Sequence, residues 1–305
     1  MNLRDLKYII AVAETQHFGH AAERCFVSQP TLSGQIKKLE EELGITIFER
    51  TNRSVEITPI GEAILIHARQ IMERTDVIKQ LALAHQDPLA GPLHIGIIPT
   101  LSPYLMPLIL APLKAHYPQI KLVLSEELSD TLLKRLHHHE IDVALLANKE
   151  KEAGLESHPL FNEPFWLACL PDHPLNHKKN IKAKDLDSID LLLLSEGHCL
   201  AQQAMEVCHI KERSEQGDMA DLRAASLETL LQLVEAGFGC TLVPALAARI
   251  ASAKTNIALR PLTFPNAHRS VSLAYRNTFP RKPALEALAN VIRSQLPVDV
   301  SVISL

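Results

Sequence analysis

Phe18-Gly19-His20-Ala21-Ala22-Glu23-Arg24-Cys25-Phe26-Val27-Ser28-Gln29-Pro30-Thr31-Leu32-Ser33-Gly34-Gln35-Ile36-Lys37-Lys38-Leu39-Glu40 reads as two helices joined by a tight turn. Ala21 and Ala22 face inward from a short helix over Phe18 to Cys25, and such small residues let a second helix approach closely. Phe26-Val27 makes the turn, Ser28 offers an N-cap oxygen, and Pro30 sits where the first helical turn tolerates a missing N–H. Leu32, Ile36, Leu39 and Leu43 form the buried stripe of the next helix, and Gly44 ends it. The first turn of that helix presents Gln29, Pro30, Thr31, Ser33 and Gln35. Short hydrogen-bonding side chains at a helix end suit the base edges and phosphates of a major groove. Cys25, on the inner face of the shorter helix, reads as a small core residue rather than a sensor.

Upstream, Leu3, Leu6, Ile9, Ile10 and Ala13 recur at helical spacing over residues 2–15. Downstream, Ile45 to Phe48 and Val55 to Ile57 are expected as short strands around the turn Thr51-Asn52-Arg53-Ser54, which makes a wing. Arg50 and Arg53 flank it, where cations meet a phosphate backbone or a minor groove. Thr58 as N-cap and Pro59 at the first helical position open a long helix to about Ala84. Ile60, Ile64, Ile71, Ile78 and Leu81 follow its heptad spacing, interrupted by His67, Arg74 and His85, which reads as an imperfect dimer seam. Gln86-Asp87-Pro88 is the linker. The expected division is a winged helix-turn-helix over 1–58, a linker and dimerisation helix over 59–88, and a regulatory domain over 89–305.

After Gly91 apolar strands alternate with amphipathic helices: Leu93 to Ile98, a helix to about His116, Ile120 to Leu124, a helix over Ser129 to His139, then Val143 to Ala147. That βαβ rhythm predicts a parallel sheet and makes the fold class α/β overall. Further strands are expected near Phe165 to Leu170, Leu191 to Leu194, Gly239 to Val243 and Ser272 to Tyr275, with helices over Ser226 to Ala236 and Ala284 to Leu296.

The 305 residues carry a formal charge of -4, which argues against a protein that coats nucleic acid non-specifically, so only local placement of cations reveals a DNA binder. An aromatic share of 4% is low for a surface that stacks single-stranded bases. Met1-Asn2-Leu3-Arg4-Asp5 has no basic stretch leading into an apolar one, and no apolar run approaches a bilayer span, so no membrane association and a cytoplasmic location are expected. The five cysteines, Cys25, Cys169, Cys199, Cys208 and Cys240, are scattered without a CxxC pair, which fits neither a secreted disulfide framework nor zinc. His137-His138-His139 point in different directions on one helix, so no metal and no cofactor are expected.

The helix-turn-helix stretch, continued through Leu43-Gly44, Phe48-Glu49-Arg50 and Thr58-Pro59-Ile60-Gly61, closely resembles that of the LysR family of bacterial regulators. The part from about Pro92 to Leu305 resembles the LysR effector domain. The resemblance implies a periplasmic-binding-protein type of architecture, with subdomain I over about 89–161 and 268–305 and subdomain II over about 162–267. It also implies a homodimer or homotetramer acting as activator or repressor on pseudo-palindromic sites in double-stranded promoter DNA, with RNA polymerase as a partner.

Glu196-Gly197-His198-Cys199-Leu200-Ala201-Gln202-Gln203-Ala204-Met205-Glu206-Val207-Cys208 is similar to the sensing segment of peroxide-responsive members of that family, and Gly91-Pro92-Leu93-His94-Ile95-Gly96 and Ser226-Leu227-Glu228-Thr229-Leu230 extend the likeness. The likeness implies that Cys199 attacks hydrogen peroxide and that Cys208 resolves the sulfenic acid to a disulfide, which cytosolic dithiol systems reduce. If the two cysteines bracket one helix, a rise of about 1.5 Å per residue holds them roughly 13 Å apart. A disulfide needs Cα atoms within about 7 Å, so forming one unwinds the helix. At a helix start, amide dipoles favour the Cys199 thiolate, and His198 beside it is placed to donate a hydrogen bond to thiolate or peroxide. The likeness further places Thr100, Ser129 and Arg269 around the peroxide; serine at 129 stands where the peroxide-responsive group usually has threonine. Otherwise Thr100 and Ser129 are ordinary N-caps and Arg269 is half of a surface ion pair. Cys169 and Cys240 are expected to be structural. Two other functions stay open: a LysR regulator whose cleft binds a metabolite, and a thiol peroxidase, for which a DNA-binding half has no use.

Overall fold

The computed structural model describes residues 1–50, 55–147, 152–187, 189–208, 223–252 and 256–303. Its contacts fall into two units, Met1–Ala82 and Leu83–Leu305. The first holds α1 (Leu3–Thr15), α2 (Phe18–Arg24), α3 (Gln29–Leu43), β1 (Phe48–Arg50), β2 (Val55–Ile57) and α4 (Pro59–Gln86), which runs past the unit's end. Asn2 and Asp5 cap α1 reciprocally, and Ser28 caps α3 by accepting the Thr31 N–H at 3.3 Å. Leu6, Ile9 and Val12 of α1 pack on Ala21 and Ala22, on Leu32, Ile36 and Leu39, and on Leu65 and Ala68 of α4.

The first strand begins at Phe48, not Ile45. The Ile45 N–H closes the end of α3 on Glu40 O at 3.1 Å, and Glu40 Oε1 takes the N–H groups of Ile47 at 2.7 Å and Phe48 at 3.1 Å. Those donors are spent before a ladder starts. The Thr58 cap is present, with its Oγ1 accepting the Gly61 N–H at 3.0 Å. Gly61 packs so closely that a Cβ there would lie 2.5 Å from the Ile47 carbonyl oxygen. Backbone cannot yield cheaply, so Gly61→Ala is expected to cost about 1–3 kcal/mol. A lower urea midpoint for this unit in the full chain checks it; an unchanged midpoint refutes it. Ile60, Ile71, Ile78 and Leu81 of the heptad stripe are exposed in the single chain, whereas Leu65 and Ala68 are buried.

In the second unit the elements follow as β3 (Gly91–Ile97), α5 (Ser102–His116), β4 (Ile120–Glu126), α6 (Ser129–His137), β5 (Val143–Leu146), β6 (Leu155–Cys169), β7 (Leu193–Leu194) and α7 (Cys199–Val207). Then come β8 (Arg223–Ala224), α8 (Leu227–Glu235), β9 (Thr241–Pro244), α9 (Ala245–Ala251), β10 (Ala258–Pro261), β11 (His268–Arg276), α10 (Lys282–Gln295) and β12 (Ser301–Val302). The main sheet is mixed rather than parallel. Among the described strands β3 pairs in parallel with β4 and β5, as the βαβ rhythm predicts, and β7 with β8. β11 returns to lie between β5 and β6, antiparallel to both.

Strand β6 is longer than the Phe165 to Leu170 expected of it. Its first part pairs with β11, and its last residues pair with β9 and β10. Two prolines hide the first part in the sequence. Pro159, which has no N–H to give, falls where the register slips between Val271 and Ser272, a bulge that absorbs it. Helix α9 and strand β10 lie outside the elements that the sequence predicts, and α6 stops at His137 instead of His139, which turns the chain at φ 60°. Among the described residues no helix is long and apolar enough to cross a membrane.

Candidate functional site

On the first unit, Gln29, Pro30 and Thr31 are exposed at the start of α3, and Ser33 and Gln35 are half-buried one turn on. The Thr31 hydroxyl lies 2.7 Å from Ser28 Oγ, so it shares in the cap. A Cβ at Gly34 would meet nothing within 4 Å, which leaves this face open to a closely approaching surface. Arg50 ends β1, its side chain outside the described residues, as are Arg53 and the rest of the turn 51–54. Cys25 is the C-cap of α2, half-buried and packed against the core of this unit, as a small core residue would be.

On the second unit, Cys199 opens α7 after a turn at Gly197 with φ 91°. That conformation favours glycine, and a Cβ there would stand 2.9 Å from Leu128 Cδ1. Leu128 precedes Ser129, so this close approach seats the start of α7 against the start of α6. The Cys199 thiol is raised above its ordinary 9.0 by burial; against this act the charge of Arg269, the Ser129 hydroxyl and the amides of Cys199 and Leu200. The helix-start amides therefore do favour the thiolate, as expected, but burial outweighs them. Ser129 Oγ is buried and has no oxygen or nitrogen partner among the described residues.

The pH dependence follows in sign. A thiol raised above 9.0 holds less thiolate at neutral pH than a free cysteine, and the thiolate fraction grows about tenfold per pH unit until the thiol titrates. Cys199 alkylation by iodoacetamide is therefore expected to climb with that slope from pH 7 to beyond pH 9.0; a plateau below pH 8 would contradict it.

Arg269 is not on the surface. It stands on β11 directly opposite Glu163 of β6, and both side chains are fully buried. Its Nε and Nη2 reach Glu163 Oε2 at 2.9 and 2.8 Å, Nη1 donates to Thr100 Oγ1 at 2.9 Å, and Nη2 donates to Thr100 O at 3.0 Å. Glu163 Oε1 accepts the Leu246 N–H at 2.8 Å. Thr100 and Ser129 are not N-caps, since Leu101 and Leu128 hold those positions. The structure thus brings Thr100, Ser129, Arg269 and Cys199 together. His198 departs from expectation. Its ring bonds the Ala225 carbonyl instead, and burial lowers its titration, which keeps it neutral near pH 7.

Cys208 caps the far end of α7 in the core, its thiol pushed up to about 12 by burial, with Asp187 and Cys240 adding to the shift. The nine residues of α7 thus stand between Cys199 and Cys208, both free thiols here. Cys169 and Cys240 are buried, with Cys240 also at about 12. Sequence reasoning missed Glu163, Gln203 and Tyr104. Glu163 had a signal, being the lone acid in the run Leu160-Phe161-Asn162-Glu163-Pro164-Phe165-Trp166-Leu167. Gln203, which donates to Ala147 O at 2.6 Å and so ties α7 to the end of β5, had none.

Two family descriptions match the chain: "Bacterial regulatory helix-turn-helix protein, lysR family" over residues 3–62 and "LysR substrate binding domain" over residues 86–297. A "Hydrogen peroxide-inducible genes activator" of Dickeya chrysanthemi is 41% identical over 305 residues, 100% of this chain and 99% of that protein. The "DNA-binding transcriptional dual regulator OxyR" of Escherichia coli K12 is 42% identical over 297 residues, 97% of this chain and 96% of its own length. Among solved structures, a full-length OxyR variant from Pseudomonas aeruginosa superposes with a TM-score of 0.76 at 40% identity, covering 96% of this chain and 95% of that one. A hydrogen peroxide-bound OxyR mutant from Corynebacterium glutamicum gives 0.64 at 33% identity, covering 96% and 92%.

Proposed function

The chain belongs to the LysR family, within its group of hydrogen peroxide-inducible gene activators, and on that premise we propose that it is a transcriptional regulator that senses hydrogen peroxide through Cys199. The observation that carries this is the surrounding of Cys199: a buried cation, the Ser129 hydroxyl and helix-start amides act on one thiol, the Thr100 hydroxyl is bonded to the same cation, and a second cysteine stands at the other end of the same helix. The Cys199 thiolate attacks one peroxide oxygen; the S–O bond forms, the O–O bond breaks, and the other oxygen leaves as hydroxide and takes up a proton. Arg269 and the Thr100 and Ser129 hydroxyls bind the peroxide and stabilise the charge that passes to the leaving oxygen. The Cys208 thiol then displaces water from the sulfenic acid and forms the disulfide.

Because α7 holds the two cysteines roughly 13 Å apart, closing that bond unwinds the helix and breaks the Gln203 tie to β5, so the redox change becomes a change of backbone. Gln29, Pro30, Thr31, Ser33, Gln35, Arg50 and Arg53 read or grip pseudo-palindromic promoter DNA. The division into 1–58, 59–88 and 89–305, with subdomains I and II inside the last, remains part of the proposal. So do pairing through the exposed heptad face of α4 into a dimer and tetramer, contact with RNA polymerase, reduction by dithiol systems, and a cytoplasmic location.

Non-reducing mass spectrometry of proteolytic peptides after one equivalent of peroxide tests the mechanism. Linked Cys199 and Cys208 peptides, formed once per chain without steady peroxide consumption, support a sensor. Continuous turnover would instead make the chain a thiol peroxidase, and unreacted thiols would turn attention to a metabolite.

A further inference from the structure

Thr100, Ser129 and Arg269 sit on one framework, and Cys199 is carried by another. The first consists of α5, α6 and β11; the second runs from β7 through α7 and leans on β8 and the start of α8. Ser195 donates to Ala224 O at 2.8 Å, and the His198 ring bonds the Ala225 carbonyl, so the segment just before α8 supports the residues that precede Cys199. Beside the Ser129 hydroxyl at Cys199 and the Gln203 tie to β5, a further side-chain bond joins the start of α8 to the first framework. Tyr104, one turn into α5 from Thr100, donates its hydroxyl to Glu228 Oε1 at 2.8 Å in the first turn of α8.

The two partners are unlike in environment. Tyr104 is buried, with Arg269 and Glu126 within electrostatic reach, while Glu228 is exposed. Burial and the Glu228 bond raise the phenol well above its ordinary titration, so it remains the donor throughout the physiological range. Glu228 stands in the first turn of α8 as the acceptor of that bond.

We propose that Tyr104 is a positioning residue for Cys199: by gripping Glu228, its hydroxyl fixes the separation between the Thr100–Arg269 cluster and the segment that carries the thiol. This rests on the peroxide chemistry above. Without the bond, α8 and the turn before α7 drift from Arg269, and Cys199 loses part of the cation that opposes burial. Misplacement by about an ångström is enough to slow a positioned reaction severely.

The test uses the full chain and two probes of Cys199, iodoacetamide and hydrogen peroxide. Tyr104→Phe removes one oxygen and keeps the ring. It is expected to slow the peroxide reaction about tenfold, and to move the pH profile of alkylation upward, with thermal stability little changed. Glu228→Ala is expected to do the same, whereas Glu228→Gln, which keeps an acceptor oxygen, restores both readings. Profiles of Tyr104→Phe and Glu228→Ala that coincide with the parent chain's would overturn the proposal, as would a Glu228→Gln as impaired as Glu228→Ala. Should the parent chain alkylate normally but ignore peroxide, the sensing function falls, and the alkylation profiles still decide the role of Tyr104.

Discussion

In a Cys199→Ser chain, hydrogen peroxide is expected to leave the DNA footprint and target transcription unchanged, while the parent chain responds. The loss is complete because no other described thiol can substitute. Cys208 and Cys240 are buried and raised to about 12, so near pH 7 their thiolate fraction is on the order of 10⁻⁵. Cys169 is fully buried within β6, and Cys25 belongs to the other unit. Serine is nearly isosteric, so the variant should melt with the parent. Cys208→Ser separates the two chemical steps: Cys199 still reaches the sulfenic acid, trapped by dimedone, but no intramolecular disulfide forms. A Cys199→Ser chain whose footprint still shifts with peroxide would sink the assignment.

The second large effect is at Arg269. Arg269→Met leaves the Glu163 carboxylate buried with no cation, and breaking a buried pair from one side costs about 3–5 kcal/mol. For a unit of this size that lowers the melting temperature by on the order of 10 °C. Instability alone would explain any loss of sensing, so a second variant is needed. Arg269→Met with Glu163→Gln removes both charges and retains an acceptor for the Leu246 N–H, so most of the stability should return. Cys199 still lacks its cation, and its reaction with peroxide should stay slow. A double variant that regained both stability and peroxide reactivity would reduce Arg269 to structural support.

Cys199 and Arg269 are unequally legible in the sequence. The sequence marked both residues through their likeness to a family pattern, but left Arg269 open as half of a surface ion pair. Only the β6–β11 register, which sets Arg269 opposite Glu163, makes removing it costly. That register was out of sight because Pro159 and Pro164 disguise the first part of β6 and because the partner strands lie about a hundred residues apart in the chain.

By itself the sequence determined what local periodicity and chain-neighbour chemistry encode. That includes the capped helices of the N-terminal unit with their alanine-lined inner face, the polar first turn of α3, the βαβ rhythm after Gly91, and two cysteines at the ends of one helix. Each rests on residues within a few turns of one another. Tertiary structure alone decided the antiparallel insertion of β11, the buried Glu163–Arg269–Thr100 cluster, the Tyr104–Glu228 bond and the diversion of the His198 ring to Ala225. It also decided the balance at Cys199, where burial exceeds the helix-start amides. Desolvation depends on everything that packs around a group, and strand register depends on partners distant in the chain; neither quantity is written in any local stretch of residues.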